Sequence, residues 1–161
     1  FKTVLQQKPQ ARLLLCGQGE NFEQSQQEAK ALGIAEMVLF CGNVNRPEDY
    51  LQAMDVFVMT SLFEGLPIVG VEAQASGLPC IFADTITQEV KILPQTQFLA
   101  LTQPDEAWAE RIVQTKPMKR SLAGHCVESA GFAEENLDRQ VCALYGMEEH
   151  HFANISGRDH L

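Results

Sequence analysis

The chain has 161 residues, of which 45% are hydrophobic and 20% are charged, and its formal net charge is −9 at pH 7. A chain of this length forms one domain with a substantial apolar core, and its composition is ordinary for a globular protein. The negative charge argues against a nucleic-acid surface, which needs a basic stripe, and against an electrostatic membrane patch on this part of the chain.

In chain order, apolar runs of strand length alternate with segments of helical composition. Pro9 ends a first helix, and Gly33 ends a second one that is rich in Glu and Gln. The predicted elements of the first half are a helix end over 1–8, a strand over 12–16, a helix over 20–32, a strand over 37–41, a short helix over 48–54 and a central strand over 55–59. Those of the second half are a helix between Pro67 and Gly77, a strand over 80–83, a short helix that begins at Asp84, a strand over 98–101, and helices over 105–116, 119–130 and 133–145.

Strands that alternate with helices predict an α/β fold, because right-handed βαβ units build a parallel sheet that helices cover on both faces. We expect one domain over residues 1–145. Residues 146–161 lose the apolar periodicity and are predicted to form a disordered tail. Phe1 opens in mid-helix without the features of a signal peptide, so we expect an N-terminally truncated piece of a longer chain. No apolar run approaches the about 18 residues that a membrane-spanning helix needs.

The five cysteines are widely spaced, and no C-x-x-C pair occurs among Cys16, Cys41, Cys80, Cys126 and Cys142. The first three lie in or at the ends of predicted strands, where free thiols act as small hydrophobic side chains. An odd number without close spacing favours a reducing, cytosolic setting over a disulfide framework.

The most informative segment joins the central strand to the next helix and has the sequence MTSLFEGLPIVGVEAQASGLP, residues 59–79. Pro67 suits the first helical position, and Gly77 suits the residue past the end. Because this helix is almost wholly apolar, we expect it to be buried, with Glu72 as its only charge. A buried carboxylate is costly unless a ligand or a neighbour hydrogen-bonds it.

Glu64 lies eight residues before Glu72, in the loop that precedes the helix. The free N–H groups at the helix start, together with the helix dipole, form an anion site between the two acids. A ligand with a phosphate between two hydroxyl-rich ends satisfies all three features. A sugar nucleotide is such a molecule.

The pattern Glu64-x7-Glu72 in this setting resembles the E-x7-E signature of retaining glycosyltransferases of the group 1 family, which have the GT-B fold. The residues around this motif are most similar to those of bacterial enzymes that build capsular polysaccharides and exopolysaccharides. The resemblance extends from about Arg12 to about Tyr145. It implies a Rossmann-like parallel sheet flanked by helices, the C-terminal, donor-binding half of a GT-B fold.

The resemblance also implies a donor site at the carboxyl ends of the strands, where ligands bind to such sheets. The loop from Gly17 to Gly19 would line the donor pocket, and the backbone around Asn43 and Val44 would meet the nucleotide base. Glu72 would bind the ribose hydroxyls, Glu64 would lie beside the donor sugar as the catalytic residue, and the N–H groups after it would face the phosphates. The predicted donor-binding residues are Gly17, Gly19, Asn43, Val44, Glu64, Gly65, Leu66, Pro67, Ile68 and Glu72.

The implied reaction transfers a sugar with retention from a nucleoside-diphosphate sugar, by family precedent a UDP-sugar, to a hydroxyl of a polysaccharide or lipid-linked acceptor. No metal or other cofactor is expected, and no nucleic acid or membrane-spanning segment of this chain takes part. An Arg and a Lys that bind the diphosphate are expected after a strand upstream of Phe1, and the acceptor site is expected in the other, N-terminal half. We therefore expect this piece to bind nucleotide weakly and to transfer nothing by itself. The expected location is cytoplasmic, at the inner face of the membrane in the full-length protein.

Several alternatives stay open from the residues alone. A dinucleotide fingerprint would need a third glycine where Phe22 stands and an acid where Cys41 and Gly42 stand, so an NAD site is disfavoured. Glu64 could simply complement the helix dipole, and Glu72 could belong to an internal salt bridge. At the level of function, the alternatives are a GT-B-fold nucleotide-sugar epimerase and a non-catalytic αβ binding module.

Overall fold

Short parallel strands alternate with helices through residues 1–116 and 118–132, the part of the chain that the computed structural model describes. The strands are β1 (Leu13–Cys16), β2 (Val38–Gly42), β3 (Phe57–Met59), β4 (Cys80–Ala83) and β5 (Gln97–Leu99). The helices are α1 (Lys2–Gln7), α2 (Phe22–Ala31), α3 (Pro47–Ala53), α4 (Ile68–Ala75), α5 (Asp105–Gln114) and α6 (Arg120–Val127). The predicted helix over 133–145 and the predicted tail over 146–161 lie outside the described residues.

The strands pair in two separate parallel sheets, one of order β1-β2 and one of order β3-β4-β5. Within the described residues, β1 and β3 are not hydrogen-bonded to each other, so the single sheet that the alternation predicts is divided. Helix α1 packs against α5 and thus connects the beginning of the chain with the helix that follows the second sheet. All the strand pairs are parallel, as predicted.

The apolar core is centred on β4, whose four residues are all buried. Phe82 is the largest fully buried side chain and lies between Phe57 of β3 and Phe98 of β5, with ring centroids 6.2 Å and 5.8 Å away. A strand covered on both faces is expected to be a continuous apolar run, and the sequence Cys-Ile-Phe-Ala has that character. This strand has the predicted bounds.

Helix α4 packs its small residues against this strand. A Cβ atom on Gly70 would lie 2.9 Å from two ring atoms of Phe82, so the glycine permits the close approach of helix and sheet. The helix nevertheless is not buried all round. Ile68, Glu72 and Ala75 recur at helical spacing on an exposed face, whereas the other face is buried. The expectation that Glu72 is a buried carboxylate is therefore wrong.

Two local predictions around the central helix also differ from the structure. Pro67 lies just before α4 as its N-cap residue, with an extended backbone, and is not the first helical residue. The helix predicted to begin at Asp84 is a turn followed by a 3₁₀ helix over Gln88–Val90, whose N-cap hydroxyl, on Thr87, accepts a hydrogen bond from the N–H of Glu89. Gly77 does follow the helix in the left-handed conformation, with φ of 75°.

Candidate functional site

The loops after β1 and β2 lie side by side, because the two strands are parallel. The N–H of Gly17 donates to the carbonyl of Gly42 over 2.7 Å. Both glycines have positive φ, 123° and 63°, so each loop leaves its strand by a turn that other residues rarely adopt. Asn43 is exposed and Val44 is half-buried directly after this contact. The structure thus brings together the predicted residues of the first two loops.

A groove of about 300 Å³ opens between the loop after β1 and the start of α2. Its apolar side includes Phe22 and Phe40, whose rings meet edge to face with centroids 5.7 Å apart. The sequence predicts the glycines of this groove but not its aromatic side. In the sequence, Phe22 marks only the position at which a dinucleotide fingerprint would need a third glycine. The lining residues are Leu15, Gly17, Gln18, Gly19, Glu20, Asn21, Phe22, Ser25 and Phe40.

The loop after β3 carries Glu64 and is fastened to the loop after β4. Glu64 forms an isolated parallel bridge with Ile86, and the hydroxyl of Thr85 donates to the carbonyl of Ser61 over 2.6 Å. The hydroxyl of Ser61 donates a hydrogen bond to a carboxylate oxygen of Glu64 over 3.4 Å. The half-buried carboxylate is therefore oriented before any ligand arrives. Ser61 and Thr85 were not predicted as part of the site.

Exposed apolar side chains flank this carboxylate. Leu62 is 82% exposed and Phe63 is 87% exposed, which is unusual for two neighbouring large side chains in a loop that hydrogen bonds hold in place. Ile68, at the start of α4, is 60% exposed. The surface around Glu64 is thus apolar on one side, although the net charge of the chain is strongly negative.

The start of α4 presents unpaired backbone donors. The first bonds of this helix run from the N–H groups of Gly70 and Val71 to the carbonyl of Pro67, and no side chain caps the helix. Among the described residues, nothing accepts a hydrogen bond from the N–H of Ile68 or Val69. Free N–H groups at a helix start favour an anion, so the anion site expected from the sequence remains a prediction for this position.

Glu72 lies one turn beyond this helix start, on the same exposed face as Ile68. It forms no ion pair with any residue that the structure describes, so the alternative of an internal salt bridge is not supported within that part of the chain. As far as the described residues go, its exposed carboxylate can accept hydrogen bonds from a ligand.

The predicted residues fall into two groups. Gly17, Gly19, Asn43 and Val44 lie at the ends of β1 and β2, whereas the residues from Glu64 to Glu72 lie after β3. Within residues 1–116 and 118–132, no hydrogen bond or ion pair joins the two groups, and no residue of 60–72 lines the groove. The division of the sheet is the reason for this separation.

Basic side chains are engaged elsewhere in this part of the molecule. The Arg46 guanidinium lies 3.0 Å from Glu48 and 3.2 Å from Asp49, at the start of α3. A backbone hydrogen bond and then Arg46 lower the pKa of Glu48. The described residues contain no cluster of metal-ligating side chains, and none of their helices has the length and apolar character to cross a membrane.

Comparison with known proteins places these features in a family. The family described as glycosyl transferases group 1 matches residues 1–121. EpsF of Bacillus subtilis (strain 168), which carries the name of a glycosyltransferase, is 44% identical over 131 residues, covering 78% of this chain and 34% of EpsF. The Vi polysaccharide biosynthesis protein VipC/TviE of Salmonella typhi is 35% identical over 141 residues, covering 83% of this chain and 24% of that protein. The chain thus spans about a third or less of the length of these relatives.

Two solved structures are similar in fold. The lipopolysaccharide outer core galactosyltransferase WaaB, in its apo form, has a TM-score of 0.67 and 19% identity, covering 90% of this chain and 44% of that one. WaaG, a glycosyltransferase involved in lipopolysaccharide biosynthesis, has a TM-score of 0.61 and 18% identity, covering 80% of this chain and 35% of that one. At these identities the likeness concerns the fold alone.

Proposed function

Since the chain belongs to the group 1 glycosyltransferases, a family of GT-B fold, we propose that it is the donor-binding part of a retaining enzyme that takes a sugar from a UDP-sugar. The predicted family, α/β fold and transferase class are confirmed. The names of the relatives support a polysaccharide or a lipid-linked intermediate as the acceptor, and one of them is a galactosyltransferase that acts on a diphosphoundecaprenol-linked sugar. The free thiols of the described residues support a cytoplasmic location. A lipid-linked acceptor would place the full-length protein at the inner face of the membrane.

The observation that carries the donor site is that Glu72, one turn beyond the free N–H groups of α4, forms no ion pair with any described residue. A carboxylate in that position accepts hydrogen bonds from two neighbouring hydroxyls, as on a ribose, while Ile68 and Val69 donate to the diphosphate. In this proposal Glu64, which Ser61 orients, lies beside the donor sugar at the other end of the ligand. Donors aimed at the phosphates stabilise the charge that develops on the leaving nucleoside diphosphate.

The order of the strands supports one more strand in the complete domain. A doubly wound sheet has the strand order 3-2-1-4-5-6. The pair β2-β1 matches the 3-2 end and β3-β4-β5 matches the 4-5-6 end, so position 1 would lie between β1 and β3. The strand expected upstream of Phe1 fits this position. Its loop would bring the Arg and Lys of the diphosphate site between the two groups of residues, which explains why they are separate in this chain.

The test is a calorimetric titration of the chain with UDP and UDP-sugars, comparing Glu72→Ala with the parent. Loss of a hydrogen-bonding carboxylate is expected to weaken binding about 10- to 100-fold. Glu106→Ala is the matched control, because Glu106 is another exposed acid near a helix start and should leave binding unchanged. The proposal would be contradicted if the parent chain bound neither UDP nor a UDP-sugar, or if Glu72→Ala bound them as tightly as the parent. Either result would favour a non-catalytic module.

A further inference from the structure

Two cysteines lie side by side at the carboxyl ends of β1 and β2. Leu15 pairs with Phe40, but Cys16 pairs with Gly42, so the register shifts by one residue at the end of the ladder. Cys41 is the extra residue of this bulge, and together with Gly42 it lies opposite Cys16. Because Leu15 pairs with Phe40, the next residues along the two strands are Cys16 and Cys41, so the two cysteines lie beside each other on neighbouring strands at the end of the ladder.

Both cysteines can be reached from solvent. Cys16 is exposed and Cys41 is half-buried. Partial burial, the charge of Cys41 and a hydrogen bond with Cys41 raise the pKa of Cys16. This influence of Cys41 on Cys16 agrees with their neighbouring positions in the strand ladder. Cys41 lies near the carbonyl of Leu39 as well, with its sulfur 3.7 Å away.

The distance between the strands suits a covalent link. Neighbouring strands lie about 4.8 Å apart, and disulfides bridge Cα atoms that are about 4.4–6.8 Å apart. The other described cysteines differ from this pair. Cys80 is fully buried in β4, and Cys126 is half-buried on α6, far along the chain from β1 and β2.

We propose that Cys16 and Cys41 form a reversible disulfide by exchange with a low-molecular-weight disulfide of the glutathione type, and that this link stiffens the two loops that follow them. One protein thiolate attacks the small disulfide, forms a mixed disulfide and releases one small thiolate. The second protein thiolate attacks the protein sulfur of the mixed disulfide and releases the other. The two protein thiols are thereby oxidised, and the small disulfide is reduced. The two protons that the protein thiols lose end on the two small thiolates, which become thiols.

The link would act on the loops at their origin. Cys16 directly precedes Gly17 and Cys41 directly precedes Gly42, and these glycines already share the 2.7 Å hydrogen bond that joins the loops. A disulfide adds a covalent restraint behind that bond and behind one wall of the groove. This inference concerns only the thiols and the backbone, so it stands independently of the proposed donor.

The first measurement counts thiols. In a Cys126→Ser, Cys142→Ser background, the chain is equilibrated with oxidised or reduced glutathione, alkylated after unfolding and weighed by intact-mass spectrometry. In the oxidised sample we expect the loss of two alkylatable thiols without a glutathione adduct, a single remaining thiol at Cys80, and full reversal by excess reduced glutathione. Cys16→Ser and Cys41→Ser should each carry one glutathione adduct instead.

The second measurement is hydrogen exchange of the peptides that contain Gly17 and Gly42, which should be several-fold slower in the oxidised chain than in the reduced chain. The Cys16→Ser variant should show no such difference between the two buffers. Three results would overturn the proposed disulfide: retention of all three thiols, a stable glutathione adduct on Cys16 or Cys41 when both are present, or a disulfide that includes Cys80. A disulfide that leaves loop exchange unchanged would overturn the stiffening.

Discussion

At the scale of single residues, the buried amide of Gln74 is the most highly connected side chain of the described core. Its oxygen accepts hydrogen bonds from the N–H groups of Ile92 and Leu93 and from the hydroxyl of Thr96, at 2.8–3.0 Å. Its nitrogen donates to the carbonyls of Gly70 and Val90. One side chain of α4 therefore satisfies the backbone of the irregular segment that connects β4 with β5.

Gln74→Leu should destabilise the chain by more than about 3 kcal/mol, because it leaves several buried backbone groups without partners, each at a cost of about 1–3 kcal/mol. Urea unfolding followed by circular dichroism measures the difference. Gln27→Leu, at an exposed position of α2, is the control and should change stability by less than about 0.5 kcal/mol. Similar values for both variants would show that the network contributes little.

Cys80 makes stability depend on pH in the alkaline range. Burial in β4 raises its pKa from 9.0 to about 12. Above pH 9 the unfolded chain therefore loses this proton before the folded chain does, and the folded state loses stability as the pH rises from 9 towards 12. Below pH 9 the thiol is neutral in both states and has no such effect.

The difference in unfolding free energy between the parent and Cys80→Val should be constant below pH 9. Above it, the difference should shift in favour of the variant by about 1.4 kcal/mol per pH unit. Denaturant unfolding at a series of pH values measures this shift, and the variant corrects for other groups that titrate in the same range. A difference that stays flat to pH 11 would mean that the thiol is not desolvated.

At the scale of elements, α4 is defined by its two faces. Its inner face has a glycine where the helix meets Phe82, and its outer face carries Glu72 beyond the free N–H groups. Close packing of the helix on β4 sets the position of the helix start. The position of the candidate anion site therefore depends on the packing of Gly70.

Gly70→Ala should destabilise the chain, because its Cβ would meet the ring of Phe82 at 2.9 Å and Val90 at 3.1 Å. Overpacking costs about 1–3 kcal/mol, which exceeds the gain in helix propensity of about 1 kcal/mol. Gly124→Ala is the matched control: a Cβ added to this glycine of α6 would have no atom within 4 Å, so alanine should stabilise the helix. Thermal unfolding of both variants gives the comparison, and a stabilised Gly70→Ala would contradict the packing argument.

At the scale of the whole molecule, the described residues carry only part of what the proposed glycosyl transfer requires. Its strands form two sheets, it spans 34% of EpsF, and no basic side chain of its described residues contacts Glu64 or Glu72. Among the described residues, the proposed diphosphate site therefore has backbone N–H groups but no cationic side chain in an ion pair with either acid.

The isolated chain is accordingly expected to release no nucleoside diphosphate from UDP-sugars above the background without enzyme, with or without a lipid-linked acceptor. A coupled assay for UDP measures this release, and nucleotide binding by calorimetry in the same sample shows that the chain is folded. Turnover that depends on Glu64 would show that the chain is catalytically sufficient by itself.

The sequence alone determined the alternation of strands and helices and the parallel pairing, because local composition decides which segments form strands and which form helices. It also determined the family and singled out the segment from Glu64 to Glu72 as the candidate site, because the motif has a fixed spacing. It did not reveal which face of α4 is covered: an apolar helix of eight residues has no clear amphipathic pattern, and only the packing of Gly70 on Phe82 turns Glu72 outward.

Tertiary structure also decided the division of the sheet, the aromatic side of the groove beside Gly19, the hydrogen bonds of Gln74 and the neighbouring positions of Cys16 and Cys41. Each of these depends on residues that are apart in the chain, and packing or strand register brings them together. The register of β1 and β2, in which Leu15 pairs with Phe40, brings Cys16 beside Cys41, and no spacing in the sequence reports this register.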